Sequence, residues 1–246
     1  MRSSADSNKP LLIALAGRTY PQISRTAGEF DDWIAAGLGD PDSHLRIDAQ
    51  AATALPPPTS LAGVVVSGSP AMVTDREPWS ERLAAWLRDC VTAQVPVLGI
   101  CYGHQLLAHA MGGRVDYRPD GLEIGTHPVE LARAAADDAL FAAAPPTFPA
   151  HFVHSQSVRE LPPGATLLAG NAQEPHQAFR VGACAWGVQF HPEFSADVMR
   201  GYIHCRIERQ EEAAALLAAV RVTPEAASLL SRFATLARRG LAAAYA

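Results

Sequence analysis

Residues 95–105 read VPVLGICYGHQ, a short apolar run followed by a cysteine and a more polar segment. The apolar run, residues 95–100, predicts a buried strand. From residue 102 to about residue 111 the pattern is that of a helix, and the glycine pair at residues 112–113 ends it. Cys101 is therefore expected where a strand turns directly into a helix.

Cys101 is flanked by Gly99 and Gly103, which gives the pattern G-x-C-x-G. Glycines beside such a junction permit the tight, strained turn that presents a nucleophile. The N–H groups at the start of the following helix favour a thiolate, and the N–H of Tyr102 can donate to a developing oxyanion. We interpret Cys101 as a nucleophile; the alternative is a small buried side chain.

Strands and helices alternate around this junction, which predicts an α/β protein with a parallel sheet and right-handed crossovers. Upstream we expect strands at residues 11–16, 44–49 and 61–66, and helices at residues 25–37 and 79–93. Downstream, apolar runs with few helices between them predict strands at residues 129–131, 148–153, 165–169, 178–181 and 185–190. Helices return after Ser195, over residues 206–219 and 224–241.

The chain has 246 residues, of which 48% are hydrophobic and 18% charged, as in soluble globular proteins. We expect a flexible tail at residues 1–10, one domain at residues 11–205 and its helical extension at residues 206–246. The net charge of −5 disfavours a nucleic-acid partner. No apolar run reaches the ~18 residues of a membrane span, and no signal-peptide segment is present, so we expect a cytoplasmic protein without a membrane partner.

Several chemistries are excluded by what the sequence lacks. Lys9 is the only lysine, so a G-x-x-x-x-G-K phosphate loop is absent and a Schiff-base lysine is disfavoured. The four cysteines form no C-x-x-C pair, and the sequence has no H-E-x-x-H motif. We therefore expect no metal site.

A thiol nucleophile needs a base, and the segment VQFHPEF at residues 188–194 offers one. His191 follows a predicted strand, and Glu193 lies two residues later. Glu193 can orient the imidazole by binding one ring nitrogen while the other faces the thiolate. The H-x-E pattern alone has little specificity, so the prediction depends on its occurrence together with the cysteine motif.

These motifs resemble those of the class I glutamine amidotransferases, above all stand-alone members that are similar to the amidotransferase half of GMP synthase. The similarity extends from about residue 11 to residue 200. The segments that carry it are VVVSGSP at 64–70, PVLGICYGHQLLA at 96–108, GLEIG at 121–125, QAFR at 177–180 and GVQFHPE at 187–193. The resemblance implies a flavodoxin-like, mostly parallel sheet with helices on both faces and a small antiparallel extension.

By the same resemblance, Cys101 is the nucleophile, His191 the base and Glu193 the residue that orients the base. The oxyanion hole would be formed by backbone N–H groups at Tyr102 and at the Gly68-Ser69 turn, where the family commonly has Gly-Gly-Pro. No metal or organic cofactor is expected. The amino-acid end of the substrate would be held by four residues: Gln105, His154, Ser155 and Gln156.

Three functions fit this pattern. The first is hydrolysis of L-glutamine to glutamate and ammonia through a cysteinyl thioester, with ammonia passed to a separate synthetase chain. The second is a γ-glutamyl peptidase or hydrolase, which uses the same triad but expels a larger amine. The third is a catalytically silent module, which the presence of both Cys101 and His191 disfavours. We expect the first.

Overall fold

The structure is a computed structural model that describes residues 9–239, and a nine-stranded sheet runs through this part of the chain. Five strands form its parallel half, in the sheet order β2 (Leu45–Asp48), β1 (Leu11–Leu15), β3 (Gly63–Val66), β4 (Val97–Ile100) and β11 (Ala185–Val188). Four antiparallel strands continue it, in the order β10 (Ala178–Val181), β9 (Thr166–Gly170), β6 (Glu123–Leu131) and β7 (Thr147–His154). A separate pair consists of β5 (Arg114–Tyr117) and β8 (Gln156–Glu160).

The parallel strands are buried on both faces because their apolar side chains alternate. On β1, Leu11 and Ile13 belong to one apolar cluster, whereas Leu12 and Ala14 belong to another. This alternation follows from the strand geometry, in which successive side chains point to opposite faces. A parallel sheet built this way must be covered by helices on both sides.

Helices supply that cover on both faces. They are α1 (Pro21–Ala27), α2 (Phe30–Leu38), α3 (Pro78–Thr92), α4 (Tyr102–Ala110), α5 (Ala196–Arg206), α6 (Gln210–Ala219) and α7 (Pro224–Arg239). Side chains of α2 and α7 share one cluster with the sheet, and those of α3 and α4 share the other. The predicted flavodoxin-like α/β fold is confirmed, with an antiparallel part that continues the main sheet.

The helix predicted at residues 25–37 is wrong in its bounds, because two helices occupy this region. Gly28 ends α1 with a φ of 88°, a conformation that interrupts a helix. Glu29 then caps α2 through a reciprocal hydrogen-bonded box with Asp32. Local capping chemistry therefore overrides the continuous apolar periodicity.

Strand content in the second half was underestimated from sequence. The run at residues 129–131 is only the end of β6, which begins at Glu123. The first part of β6 contains polar residues and Pro128, so it lacks an alternating apolar pattern. Pairing with β7 along its length forms this strand. Strands β5 and β8 were missed altogether.

The last helix packs against the sheet. It begins at Pro224, as Thr223-Pro224 predicts, and Leu229, Leu230 and Phe233 are buried in the cluster that contains α2. Residues 1–8 of the tail predicted at residues 1–10, and the predicted helix end at residues 240–241, lie outside the described residues. Within residues 9–239 no single helix could cross a membrane; α6 and α7 meet the length and composition criteria only as a pair, which is bent by 64°.

We predict that Phe233→Ala lowers the free energy of unfolding by about 3–5 kcal/mol, as expected for a buried aromatic side chain. Phe233 is 0% exposed and its ring meets that of Trp186 edge to face. Urea unfolding measures the change, with Thr235→Ala on the exposed side of α7 as the matched control. Equal stability of the two variants would show that α7 is an appendage and not a part of the domain core.

Candidate active site

Cys101 lies at a sharp turn between β4 and α4. It has φ 51° and ψ −98°, a left-handed conformation that non-glycine residues rarely adopt and that costs about 1–3 kcal/mol. Two backbone hydrogen bonds hold it there. Its N–H donates to O of Val188 at 2.8 Å, and its C=O accepts from N of Gln105 at 3.1 Å.

The flanking glycines provide space for this turn and are not themselves left-handed. A Cβ on Gly99 would lie 2.3 Å from the carbonyl oxygen of Gly103, and a Cβ on Gly103 would lie 2.5 Å from that of Val66. The start of α4 therefore approaches β3 and β4 at a distance that only glycine allows. As the sequence predicted, the glycines provide the space and the cysteine takes the strained conformation.

His191 and Glu193 follow the end of β11, the strand beside β4. Nδ1 of His191 lies 2.8 Å from Oε1 of Glu193, and the two side chains are 2% and 0% exposed. Because a carboxylate only accepts, Nδ1 carries the proton of this hydrogen bond. Nε2 is buried and makes no hydrogen bond of normal geometry within the described residues. This leaves the nitrogen available to the sulfur of Cys101, which is close enough to affect the ionisation of the imidazole.

The charge on His191 is favoured by its surroundings. Burial opposes the charged imidazolium, but the carboxylate of Glu193 and then the sulfur of Cys101 outweigh it and raise the pKa of His191. The ring is also fixed by packing. Phe194 stacks on it with ring centroids 4.0 Å apart, and a Cβ on Gly68 would lie 3.0 Å from its Cε1.

The loop after β3 contains one of the proposed oxyanion donors, and the start of α4 contains the other. Oγ of Ser67 donates to O of Gly68 at 2.8 Å, which fixes the peptide whose N–H belongs to Ser69. Within the described residues, the N–H groups of Ser69 and Tyr102 donate to no backbone carbonyl, and both residues line the cavity described below. Neither Gly68 nor Ser69 has a positive φ, so the serine at this position requires no strained backbone.

The four predicted substrate residues line one cavity, and hydrogen bonds join three of them. Nε2 of Gln105 donates to O of Gln156 at 2.7 Å, and Nδ1 of His154 lies 2.9 Å from the same oxygen. Nε2 of Gln156 donates to Oγ1 of Thr74 at 2.6 Å. Ser155 is half-buried, and its carbonyl oxygen accepts from N of Arg118. Residues 154–156 thus form a wall of the site that these hydrogen bonds hold in place.

One cavity of about 270 Å³ joins these groups. It is bounded by Cys101 and His191, by the Ser69 loop, and by the wall at residues 154–156. Sequence reasoning missed the opposite side of the cavity, which is formed by residues after β1 and on α5. They are Arg18, Thr19, Tyr20, Tyr202 and Arg206. No aspartate or glutamate in the described part of the chain lines the cavity, whereas Arg18 and Arg206 do, and we call the side with these two arginines the basic wall.

The remaining cysteines have settings unlike that of Cys101. Burial raises the pKa of the Cys90 thiol to about 12 and that of Cys184 to about 11, which keeps both as thiols. Burial also raises the pKa of Cys205. Among residues 9–239, no group of three or more His, Cys, Asp or Glu side chains could hold a metal ion.

Comparison with solved structures shows the fold in other proteins. A glutamine amidotransferase from Thermotoga maritima superposes with a TM-score of 0.75 over 94% of this chain and 99% of its own, at 22% identity. A glutamine amido transferase from Methylobacillus flagellatus gives a TM-score of 0.73 over 96% and 94% of the two chains, at 23% identity.

Sequence comparison gives more specific relatives. GMP synthase [glutamine-hydrolyzing] from Thermomicrobium roseum is 40% identical over 131 residues, 53% of this chain but 23% of that protein. Gamma-glutamyl peptidase 5 from Arabidopsis thaliana is 29% identical over 139 residues, 56% of this chain and 55% of that protein. The chain thus spans about a quarter of the first relative's length. The model of the family described as "Glutamine amidotransferase class-I" matches residues 43–204, which include Cys101, His191 and Glu193. The chain belongs to the class I glutamine amidotransferase family.

Proposed function

We propose that this protein hydrolyses the side-chain amide of L-glutamine to glutamate and ammonia, with Cys101 as the nucleophile. One observation carries the proposal: the strained Cys101 shares a cavity with the imidazole of His191, whose Nδ1 is held by Glu193. A thiol, a base and an orienting carboxylate in this order are sufficient for nucleophilic cleavage of an amide. None of these steps needs a metal ion or an organic cofactor.

The first half of the reaction forms a thioester. The thiolate of Cys101 attacks the amide carbon, and the N–H groups of Ser69 and Tyr102 stabilise the negative oxygen of the tetrahedral intermediate. His191, as the imidazolium, then gives its Nε2 proton to the departing nitrogen. The C–N bond breaks, ammonia leaves and a glutamyl thioester remains on the sulfur.

The second half regenerates the enzyme. His191, now neutral, takes a proton from water, and the resulting hydroxide attacks the thioester carbon. The C–S bond breaks and glutamate is released. The proton taken from water stays on His191, which restores the starting pair of Cys101 thiolate and His191 imidazolium. Glu193 does not react, since it keeps the imidazole in the orientation and protonation state that both halves require.

The wall at residues 154–156 would hold the amino-acid end of the substrate. We infer that Gln105 contributes through this wall and not by its own amide nitrogen. That nitrogen already donates to O of Gln156 at 2.7 Å and to Oε1 of Gln189 at 3.0 Å. A substrate atom would have to displace one of these bonds to reach it.

A second candidate is cleavage of γ-glutamyl amides with a larger leaving group. The same thioester forms, so the triad does not distinguish the two activities. The relative named as a γ-glutamyl peptidase is matched over 55% of its length, and the GMP synthase over 23%. The basic wall with Arg18 and Arg206 would also suit a leaving group that carries a carboxylate.

We predict that Cys101→Ala abolishes glutamate release from L-glutamine, a loss on the order of 10⁴-fold or more, because the thioester cannot form. Enzyme-coupled detection of glutamate measures it. The matched control is Cys205→Ser, which removes a thiol outside the cavity and should retain full turnover. Wild-type turnover by Cys101→Ala would refute the assignment of the nucleophile.

We predict that Glu193→Gln costs less activity than His191→Ala and also changes the pH profile. Glu193 is the main group that raises the pKa of His191, so its neutral isostere lowers that pKa. The imidazolium that protonates the departing nitrogen is then lost at a lower pH. The alkaline limb of the kcat/KM profile should therefore move to lower pH. An unmoved limb would show that Glu193 does not control the ionisation of His191.

The choice between the two activities is tested with the purified chain, L-glutamine and a panel of γ-glutamyl dipeptides, with Cys101→Ala as the blank. We expect faster glutamate release from L-glutamine. A preference for the dipeptides would favour the peptidase. Activity on neither substrate would contradict hydrolysis by the chain alone, and affinity capture of a separate ammonia-accepting synthetase would then test whether a partner activates it.

A further inference from the structure

His154 is held at both of its ring nitrogens. Nδ1 lies 2.9 Å from O of Gln156, and Nε2 lies 2.8 Å from Oε2 of Glu123. The side chains of His154 and Glu123 are 1% and 0% exposed. A carbonyl and a carboxylate accept hydrogen bonds and do not donate them. Each contact therefore requires its own proton on the histidine, one on Nδ1 and one on Nε2.

Glu123 is itself fixed as a carboxylate. Nδ2 of Asn171 donates to its Oε1 at 3.0 Å, and Nε2 of Gln177 donates to its Oε2 at 3.1 Å. Burial raises the pKa of this carboxyl, but the hydrogen bond and charge of His154 and the two amides outweigh burial and lower it to about 2. A neutral glutamic acid that donates its own proton to His154 is thus disfavoured.

We propose that His154 is a buried imidazolium maintained by Glu123, and that its fixed charge strengthens binding of the substrate's α-carboxylate. The inference rests on the proposed function, because it requires a glutamyl group in the cavity. Glu123 is then a positioning residue, since it acts through His154. The segment GLEIG at residues 121–125 carries the family resemblance, but by itself it assigns no role to Glu123.

The ion pair is oriented toward the site. His154 lines the cavity and Glu123 does not, so His154 is the member of the pair that borders the site. From α4, His104 is the other titratable side chain near this pair. Burial, with a smaller contribution from the charge on His154, lowers the pKa of His104 to about 3, so it stays neutral. Because the His154 and Glu123 side chains are buried, a charge on His154 is screened weakly by solvent.

The same pair also fixes the substrate wall. The Gln156 oxygen that accepts from His154 accepts from Gln105 as well. A neutral histidine with its proton on Nδ1 could keep this bond. The charge on His154 can therefore be removed without moving the wall. The variant Glu123→Gln is designed to do this. Its amide can donate to Nε2 of a neutral His154 while its oxygen accepts from Asn171 and Gln177.

The kinetic test compares Glu123→Gln with Glu130→Gln, which removes an exposed acid from the same strand. We expect Glu123→Gln to raise KM for L-glutamine, or for the γ-glutamyl dipeptide that is cleaved best, on the order of tenfold. The kcat should stay within about twofold of the wild type, because the triad is untouched. Glu130→Gln should match the wild type in both constants. An unchanged KM in a folded Glu123→Gln protein would overturn the proposal.

The spectroscopic test does not depend on activity or on the folding of the variant. Nitrogen-15 NMR of the histidine rings in the native chain should show protons on both nitrogens of His154, assigned by through-bond correlation to its own backbone. One protonated nitrogen would overturn the inference whatever the kinetics show. A doubly protonated ring in a chain without turnover of any glutamyl substrate would instead overturn the proposed function and leave the imidazolium in place.

Discussion

The close approach of α4 to the centre of the sheet is the constraint on which the site depends. Gly99 and Gly103 allow backbone atoms to meet where any side chain would collide, and the chain must then turn within one residue. That residue is Cys101, which takes a left-handed conformation that the packing around it enforces. The sulfur of Cys101 is consequently placed at the N-terminus of a helix, where the helix dipole favours negative charge.

Sheet topology brings the other groups to the same place. The loops after β1, β3, β4 and β11 all leave the carboxyl ends of neighbouring parallel strands, which is the usual position of ligand sites in such sheets. The wall at residues 154–156 joins the end of β7, in the antiparallel half, to the start of β8 in the separate pair. Although β7 lies four strands from β11 in the sheet order, O of His151 accepts from N of His191 at 2.8 Å. The antiparallel half therefore curves back over the site.

Two histidine–glutamate pairs in this site differ in the partner of the second ring nitrogen. In the pair of His191 and Glu193, Nε2 has no hydrogen-bond partner of normal geometry in the described residues, which leaves it available for proton transfer. In the pair of His154 and Glu123, neither ring nitrogen is available for proton transfer, because O of Gln156 occupies Nδ1 and Glu123 occupies Nε2. The same chemical pair can thus serve as a proton carrier in one setting and as a fixed charge in another.

The sequence by itself determined the α/β class, the strand-to-helix junction at Cys101 and the candidate triad, because these depend on local patterns of a few residues. It could not show the break at Gly28, the length of β6 or the basic wall with Arg18 and Arg206. Those features depend on capping and on pairing between segments far apart in the chain. Glu123 was missed for the same reason, since its partners lie 31 to 54 residues away. Only the tertiary structure decided which polar groups are buried together. Burial matters because electrostatic interactions between charged groups are stronger where water is excluded.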